Sequence, residues 1–413
     1  MRKFTVTVKL NRLFSVSEIV VMLILLFAFM DFRLYSMHLM ILAFLLCGLI
    51  KGRVRVANSV FPLVILSISL ILFKDGNILS PTAWALRLVW PSAFLLGYNL
   101  MIPAVPNEEE WGNLQKKVLL YYTIAAVGFF IHILLNIYAN WGENDIYRNT
   151  VDFWTGKSRA ATGQAGLMCI PMAWCIAYIL GEHSWEKKIS AVFAIAIMMY
   201  YNLMLGSRTV VLSAMLVSCI ALLCVLLGKE NNKKKFRIVV VMMTIVVVVL
   251  FLFQLDIGGI RTMLEESTLS ERLTGGDFTM ITGDSRWKAK MEFLKQMPVH
   301  LFGGGNIRRS VGRHAHDVLL DTYDEASVFA FLAVIALLWD SISKLIRLIK
   351  CPQIMASTKV MIICVFIIIM IEFCLEPILI GMPWLLMAFC FFHGIITCLV
   401  KNASFMNSNP IGK

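Results

Sequence analysis

The chain has 413 residues, of which 59% are hydrophobic and only 15% are charged. A soluble globular protein carries roughly a quarter charged residues, so this composition excludes a soluble domain and indicates a polytopic membrane protein. The net charge of +12 does not indicate nucleic-acid binding, because membrane proteins sort their Lys and Arg residues by the side of the membrane.

Long apolar runs recur along the whole chain, separated by short polar connectors, which is the pattern of membrane-spanning helices. We predict an all-α fold with twelve spans, the second and third of them short. The predicted spans are 14–30, 37–50, 58–73, 81–102, 118–139, 164–181, 189–205, 210–227, 238–255, 326–343, 360–375 and 378–399. Because the sequence shows no internal repeat and no linker rich in Pro, Gly or Ser, residues 1–413 are interpreted as one membrane domain.

The distribution of Lys and Arg predicts the orientation. With the amino terminus inside, the cytoplasmic segments hold 22 Lys and Arg, whereas the outer segments, apart from the longest loop, hold six. Short cytoplasmic loops carry such an excess of positive charge, so both termini are predicted to be cytoplasmic. The longest loop, 256–326, is then extracytoplasmic. The basic start of the chain lacks a small-residue cleavage site, which predicts an uncleaved anchor.

The sequence does not indicate a metal site or a cofactor. The ten cysteines fall in predicted spans or at their cytoplasmic ends, where a thiol behaves as a small apolar side chain. His314 and His316 have no Cys or Glu at ligand spacing beside them, so we expect no metal. Neither a dinucleotide-binding GxGxxG turn nor a phosphate-binding Walker sequence occurs, so we expect no nucleotide cofactor.

Two connectors that precede the long loop carry outer arginines. Loop 140–163 holds Arg148 and Arg159, and the turn GSRT (206–209) places Arg208 tightly between two spans. Guanidinium groups at these positions could contact a charged or polar substrate. For Arg208 the alternative is an anchoring role, in which the side chain extends to the lipid headgroups.

The long outer loop has its positive charge in its second half. The stretch 286–316 contains seven Lys or Arg residues and one acid. A guanidinium group can bind two oxygens at once, so a cluster of them suits a phosphate or pyrophosphate. The alternative is a solvated loop with scattered charges. The candidate side chains in this half are Arg286, Arg309, Arg313, His314 and His316.

Residues 286–297 predict an amphipathic helix within this loop. Its apolar side chains share one face: Trp287, Met291, Leu294 and Met297. Pro298 should end the helix, and the glycines at 303–305 allow backbone conformations that bulkier residues resist. Such a helix would lie at the membrane interface, where a lipid pyrophosphate sits. Its apolar face could equally pack onto the membrane domain, and the two interpretations are compatible.

Four short motifs follow one another along the chain: GSRT (206–209), SRW (285–287), P-x-x-L-F-G-x-G (298–305) and HAHD (314–317). In their order, and in the twelve-span layout with its largest outer loop between spans nine and ten, the chain resembles the superfamily of O-antigen ligases and Wzy-type polysaccharide polymerases. The motifs cover about residues 140–340, and the layout covers the whole chain. The resemblance implies a GT-C-like glycosyltransferase in the bacterial plasma (inner) membrane.

The resemblance also implies a reaction and its residues. The family transfers a glycan from undecaprenyl pyrophosphate on the outer face, with inversion and without a metal. By position, Arg208 and Arg286 correspond to the arginines that bind pyrophosphate, and His316 to the catalytic histidine. Cations that hold the leaving group lower the barrier, and a neutral histidine can accept the proton of an acceptor hydroxyl. Further candidates for contact with glycan or phosphate are Arg148, Arg159, Arg309, Arg313 and His314.

The implied partners are the lipid-linked glycan, membrane lipid, and either a lipid A-core acceptor or a chain-length regulator. Asp317 follows His316, and Ser327 and Ala330 stand where ligases carry a glycine pair. The sequence therefore leaves open a repeat-unit polymerase, which we prefer, and an O-antigen ligase, and it leaves His314 as an alternative catalytic histidine. A flippase or transporter of lipid-linked oligosaccharide also fits twelve spans, although a transporter should concentrate ionisable groups near mid-membrane.

Overall fold

The computed structural model describes residues 16–32, 34–74, 81–103, 108–142, 149–181, 185–227 and 285–408, and isolated residues at 254, 265, 267 and 270. The helices are α1 (Val16–Phe29), α2 (Leu34–Lys51), α3 (Phe61–Phe73), α4 (Pro81–Leu100), α5 (Glu108–Ala139), α6 (Ala161–Leu180), α7 (Trp185–Leu205), α8 (Arg208–Leu227), α9 (Ser285–Gln296), α10 (Asn306–Val311), α11 (Val318–Glu325), α12 (Val328–Lys350), α13 (Ala356–Leu375), α14 (Ile378–Gly381) and α15 (Pro383–Ser408). Two 3-10 turns and one antiparallel hairpin, β1 (Asn149–Val151) with β2 (Ser158–Ala160), complete the described part.

The structure confirms an all-α membrane protein. Six helices, α5, α6, α7, α12, α13 and α15, are long and apolar enough to cross a membrane, and shorter apolar helices lie within α1, α2, α8 and the segment from 58 to 73. Helices occupy eleven of the twelve predicted spans, while the predicted span 238–255 falls, apart from residue 254, outside the described residues. The start of α5 lies ten residues before its predicted span. Trp111 and Gln115 in this extension bind the carbonyl of Gln353 in the connector between α12 and α13.

The protein core is centred on α15 and α6, whose apolar stretches lie almost entirely inside the protein. Two glycines allow α15 to pack closely against α4. A Cβ added at Gly394 would lie 2.1 Å from the carbonyl oxygen of Phe94, and one at Gly97 would lie 2.1 Å from that of Phe391. Small residues permit such close helix contacts inside membranes.

Residues 285–327 form a compact unit that we call the polar cap. Its own apolar core consists of Phe293, Ile307, Ala315, Leu320 and Tyr323. Asp324 holds the turn at 303–305, since its carbonyl accepts the Gly305 N–H and its carboxylate accepts the Ile307 N–H, both at 2.8 Å. The three glycines at 303–305 all have positive φ, and a Cβ at Gly303 would lie 2.7 Å from the Ala326 backbone. The prediction that glycine is needed here is confirmed.

The amphipathic helix predicted at 286–297 is confirmed as α9, which continues into the 3-10 turn Met297–Val299 at Pro298. Its buried face carries Ala289 and Phe293, whereas Trp287, Met291 and Leu294 are exposed. Three of the four side chains of the predicted apolar face are therefore exposed, whereas Met297 packs against the apolar core of the polar cap.

Candidate functional site

The site forms where α13 ends, at the Glu376-Pro377 junction. Proline cannot continue a helix, and Glu376 adopts an extended backbone conformation after the last turn of α13. Its side chain is buried, with 2% of its surface exposed. A carboxylate is costly to bury unless it is paired with a cation or with hydrogen-bond donors. Two groups of the polar cap face it, and we call Arg286, His316 and Glu376 the Glu376 centre.

Arg286 supplies the cation of this centre. It lies in the first turn of α9, and its Nη1 donates to Glu376 Oε1 at 3.2 Å and to the Leu375 carbonyl at 3.0 Å. One turn further along α9, Lys290 Nζ donates to the Cys374 carbonyl at 2.7 Å and lies 3.3 Å from the Asp317 carboxylate. The carbonyl groups at a helix C-terminus carry partial negative charge, so these two cations fix α9 against the end of α13. Arg286 keeps a third of its side chain exposed.

His316 faces the same carboxylate from the loop between α10 and α11. Its Nδ1 lies 3.6 Å from Glu376 Oε2, slightly farther than a hydrogen bond. Among the described residues, both of these buried atoms lack a hydrogen-bond partner. His316 has a φ of +56°, a conformation that is uncommon outside glycine and that clusters at functional sites. A small movement of the ring would join the two atoms.

Asp321 holds the loop that carries His316. Its carboxylate accepts the backbone N–H of Ala315 at 3.0 Å and that of Asp317 at 3.4 Å, so it binds on both sides of the histidine. Asp317 in turn caps α11, accepting the N–H groups of Leu319 and Leu320. Burial raises the pKa of Asp321 to about 7, against the lowering effect of its two backbone donors.

This geometry defines what His316 can do. A carboxylate facing Nδ1 favours the tautomer with its proton on Nδ1, which leaves the lone pair of Nε2 available to accept a proton. A quarter of the His316 side chain is exposed, and Nε2 has no hydrogen-bond partner in the described part of the chain. The Glu376 centre can thus combine a base with a neighbouring guanidinium that suits a negatively charged group.

The sequence predicted two members of this centre and missed the third. Glu376 lies between the last two predicted spans, 360–375 and 378–399, and is not among the predicted site residues. A signal was present, since a carboxylate between two long apolar runs needs a partner. Nothing in the sequence, however, identified Arg286 as that partner, 90 residues earlier in the chain.

Among the described residues, Arg208 does not contact the Glu376 centre. It begins α8 after Gly206, which has a φ of +64°. Helix α8 packs against α13. In the predicted topology α8 begins and α13 ends on the outer side, so we expect Arg208 and Glu376 to lie on the same side of the membrane. Arg208 is half-buried, and among the described residues it has no hydrogen-bond or ion-pair partner.

The other predicted residues of the cap lie around the centre. His314 is half-buried, with Nδ1 4.0 Å from Asp321 Oδ1. Burial and the nearby Arg308 guanidinium lower its pKa, which favours the neutral imidazole. Arg309 and Arg313 are exposed, and Arg309 donates to the side chain of Asn306 at 2.8 Å.

Arg308, which is not among the predicted site residues, is half-buried. It forms an ion pair with Glu325 at 2.6 Å, and the same carboxylate binds Lys74 at 2.6 Å. This bridge joins the polar cap to the end of α3. Arg148 lies outside the described residues.

Arg159 belongs to a separate cluster. Its Nη1 lies 2.9 Å from Asp31 Oδ2 and 3.1 Å from Asp152 Oδ2. Asp152 also bonds to the buried His132 at 3.2 Å. Burial acts to raise the pKa of Asp152, but the His132 hydrogen bond and the Arg159 guanidinium outweigh it and lower the pKa. Because two carboxylates already neutralise Arg159, this residue is a weaker candidate for binding phosphate than its position in the sequence suggested.

A scan of the chain against models of protein families gave no match, and a comparison with curated proteins found no similar sequence.

Proposed function

We propose that this protein is a membrane glycosyltransferase of the bacterial plasma membrane, which polymerises oligosaccharide repeat units linked to undecaprenyl pyrophosphate. The observation that carries the proposal is the convergence of Arg286 and His316 on the buried Glu376 carboxylate. The Arg286 guanidinium suits a pyrophosphate, and the His316 imidazole can accept the proton of a hydroxyl group. Glycosyl transfer from a lipid pyrophosphate requires both at the same place.

In the proposed reaction, the acceptor hydroxyl oxygen attacks the anomeric carbon of the donor glycan, and the bond from that carbon to the pyrophosphate oxygen breaks. His316 Nε2 takes the hydroxyl proton. Glu376 stabilises the imidazolium that forms, as a carboxylate does for a catalytic histidine. The pyrophosphate leaves with its electron pair and is held by Arg286, with Arg208 contributing from the end of α8. No metal or cofactor takes part in this scheme.

The exposed face of α9 supports a lipid substrate. Trp287, Met291 and Leu294 are exposed beside Arg286. Aromatic and apolar side chains of an interfacial helix enter the boundary between headgroups and acyl chains. With the polar cap on the outer face and both termini cytoplasmic, this helix would hold Arg286 at the depth of a lipid pyrophosphate. The partners are then the lipid-linked glycan and the membrane lipid around it.

One observation favours a second candidate function, a flippase or transporter of lipid-linked oligosaccharide. Asp340 lies twelve residues into α12, about 18 Å from its start, and it contacts His393 of α15 and Lys344. Ionisable groups at such a depth often line the path of a transported substrate or proton. This cluster is separate from the Glu376 centre.

The test is reconstitution of the purified protein in vesicles with undecaprenyl-pyrophosphate repeat units, with and without lipid A-core. A ladder of polymer without lipid A-core indicates the polymerase. One-step modification of lipid A-core indicates an O-antigen ligase, and movement of lipid across the vesicle without new glycosidic bonds indicates the transporter.

Arg286→Ala and His316→Ala should each abolish the ladder while membrane insertion remains normal. The matched controls are Lys288→Ala, an exposed cation on the same helix, and His300→Ala, a histidine of the same cap. Full-length polymer from both Arg286→Ala and His316→Ala would remove the assignment of this site.

A further inference from the structure

A cavity of about 420 Å³ lies beside the polar cap. We call it the hairpin cavity, because the β1–β2 hairpin forms one wall. The hairpin is firmly held: the backbone N–H of Val151 donates to Asn140 at 2.8 Å, and that of Phe153 donates to Asn136 at 2.9 Å. Trp154 ties it to the turn after α1 by donating to the Met30 carbonyl at 3.1 Å. Hydrogen bonds therefore hold the hairpin wall of the cavity in place.

The charges that line the hairpin cavity are largely neutralised. Arg159 is bound by Asp31 and Asp152, all three of which line it. The ammonium group of Lys74 is bound by Glu325. Lys157, at the exposed rim, is the remaining lining cation. A pyrophosphate needs an excess of positive charge, and this cavity does not supply one. Its charged groups instead present carboxylate acceptors and guanidinium donors side by side.

The remaining walls are apolar and come from α2, α4, α14 and the start of α15. They include Leu86, Leu379, Pro383 and Trp384. Arg159 Cζ lies 6.0 Å from the centre of the Trp384 ring, over its face. A sugar offers hydroxyl groups around its edge and C–H groups on its faces. An aromatic side chain beside paired carboxylates and a guanidinium offers both kinds of contact.

Trp384 also carries a donor that lacks an acceptor. Only 3% of the residue is exposed, and within the described ranges its indole Nε1–H has no hydrogen-bond partner. A buried donor is normally satisfied. The Nε1 atom has almost no accessible surface, so its N–H would donate to an oxygen of a saccharide in the hairpin cavity after the indole turned toward the cavity.

The hairpin cavity adjoins the Glu376 centre. Leu379 lines the cavity and is three residues beyond Glu376, so their Cα atoms are at most about 11 Å apart. Helix α14, which contains Leu379, packs against α11 of the polar cap. From the other side, Lys74 lines the cavity and binds Glu325 at the end of α11. A short oligosaccharide seated in the cavity could thus extend to His316.

We propose that the hairpin cavity binds the uncharged saccharide of the acceptor and so presents its hydroxyl group to His316. This assignment rests on the proposed glycosyl transfer, and it separates two subsites by charge. The donor pyrophosphate binds beside Arg286, which pairs with a single carboxylate and keeps a third of its side chain exposed, and the acceptor sugars bind where two carboxylates hold Arg159.

Trp384→Phe tests the assignment, because it removes the indole N–H and keeps an aromatic wall. Its matched control is Trp90→Phe, since Trp90 is equally buried and its N–H also lacks a partner in the described part, but it does not line the cavity. A second variant, Ser158→Trp, fills the cavity from its exposed rim on β2 without altering the core.

The probe is the lipid-free repeat-unit oligosaccharide, titrated calorimetrically into the protein in nanodiscs. We expect the unaltered protein and Trp90→Phe to bind it equally, Trp384→Phe to bind about tenfold more weakly because one hydrogen bond is lost, and Ser158→Trp to lose binding. Inorganic pyrophosphate should not displace the oligosaccharide. Unchanged affinity in both cavity variants, no binding by the unaltered protein, or displacement by pyrophosphate would each overturn the assignment.

Steady-state transfer in vesicles separates this assignment from the proposed function. Trp384→Phe should raise KM for the acceptor about tenfold and leave KM for the donor unchanged. If the unaltered protein binds the oligosaccharide but transfers no sugar, the proposed enzymatic function is contradicted and the cavity assignment stands. If transfer occurs and the acceptor KM is unchanged in Trp384→Phe and Ser158→Trp, the proposed function stands and the cavity assignment is contradicted.

Discussion

His393 and His316 are two of the histidines that face carboxylates in the described part of the chain, and the difference between them indicates which can act as a base. His393, on α15, is fully buried and uses both ring nitrogens: Nδ1 contacts Ser341 Oγ at 3.0 Å and Nε2 contacts Asp340 Oδ2 at 3.0 Å. His316, in the polar cap, places Nδ1 3.6 Å from Glu376 and is a quarter exposed. A ring with two satisfied nitrogens is held for structure, whereas a ring with one accessible nitrogen can exchange a proton with a substrate.

The two rings also differ in how the backbone holds them. His393 lies within a long helix whose neighbours fix it by packing. His316 lies in a loop at a φ of +56°, fixed on both sides by the Asp321 carboxylate. A strained residue persists only where its surroundings over-determine it. The comparison therefore suggests that the activity of the Glu376 centre depends on the polar cap more than on the membrane core.

The largest expected effect is on kcat and comes from replacing Glu376, the carboxylate that faces His316. The comparison is the replacement of Asp340, the carboxylate that faces His393. Glu376→Gln should lower kcat for glycosyl transfer between about 10²- and 10⁴-fold, because an amide can donate to Nδ1 and favour the wrong tautomer. Asp340→Asn should leave kcat near that of the unaltered protein and lower the thermal midpoint by roughly 2–4 °C. Single-turnover transfer in vesicles measures the loss of activity in each variant, and a thermal melt measures the change in the midpoint. Equal loss of activity in the two variants would abolish the distinction between the histidines.

A smaller effect is expected on the stability of the polar cap, which should depend on pH through Asp321. Asp321 in the folded cap has a pKa of about 7, whereas in the unfolded chain it titrates near pH 4. Between these values the folded state binds more protons, so stability should fall as pH rises from about 4 to about 7 and then level off. Asp321→Asn should remove this pH dependence. Between the two pKa values the free energy of unfolding changes by at most on the order of 4 kcal/mol.

Hydrogen exchange of the Ala315 and Asp317 amides, corrected for the intrinsic rate at each pH, measures this slope at the loop that carries His316. Glu292→Gln serves as the control, because Glu292 lies on an exposed part of α9. A slope that survives in Asp321→Asn would assign it to another group of the cap, such as Asp324, whose pKa burial also raises.

The smallest effect is expected at His314, the neighbouring histidine. His314 lies 4.0 Å from Asp321 and faces no carboxylate of the Glu376 centre. We expect His314→Gln to lower kcat by no more than about threefold, an indirect change worth under 1 kcal/mol, while His316→Gln removes transfer. The two variants are compared in the vesicle assay at one pH. A severe loss in His314→Gln together with a mild one in His316→Gln would exchange the roles of the two histidines.

The sequence alone determined the helical membrane architecture of this protein. Runs of apolar residues and the turns between them are local properties, so helices appear at eleven of the twelve predicted positions. The positive φ angles at 303–305 and the amphipathic helix α9 were predictable for the same reason. His316 and Arg286 could be singled out by residue type and order along the chain.

Only the tertiary structure decided what those residues face. Glu376 meets Arg286 across 90 residues and Asp31 meets Arg159 across 128, separations at which sequence periodicity carries no information. Packing also decided that Arg159 is neutralised by two carboxylates and that three side chains of the predicted apolar face are exposed. Hydropathy determines which segments become helices. Contacts between segments depend on how side chains of distant helices fit together, so the positions of charges relative to one another emerge only on folding.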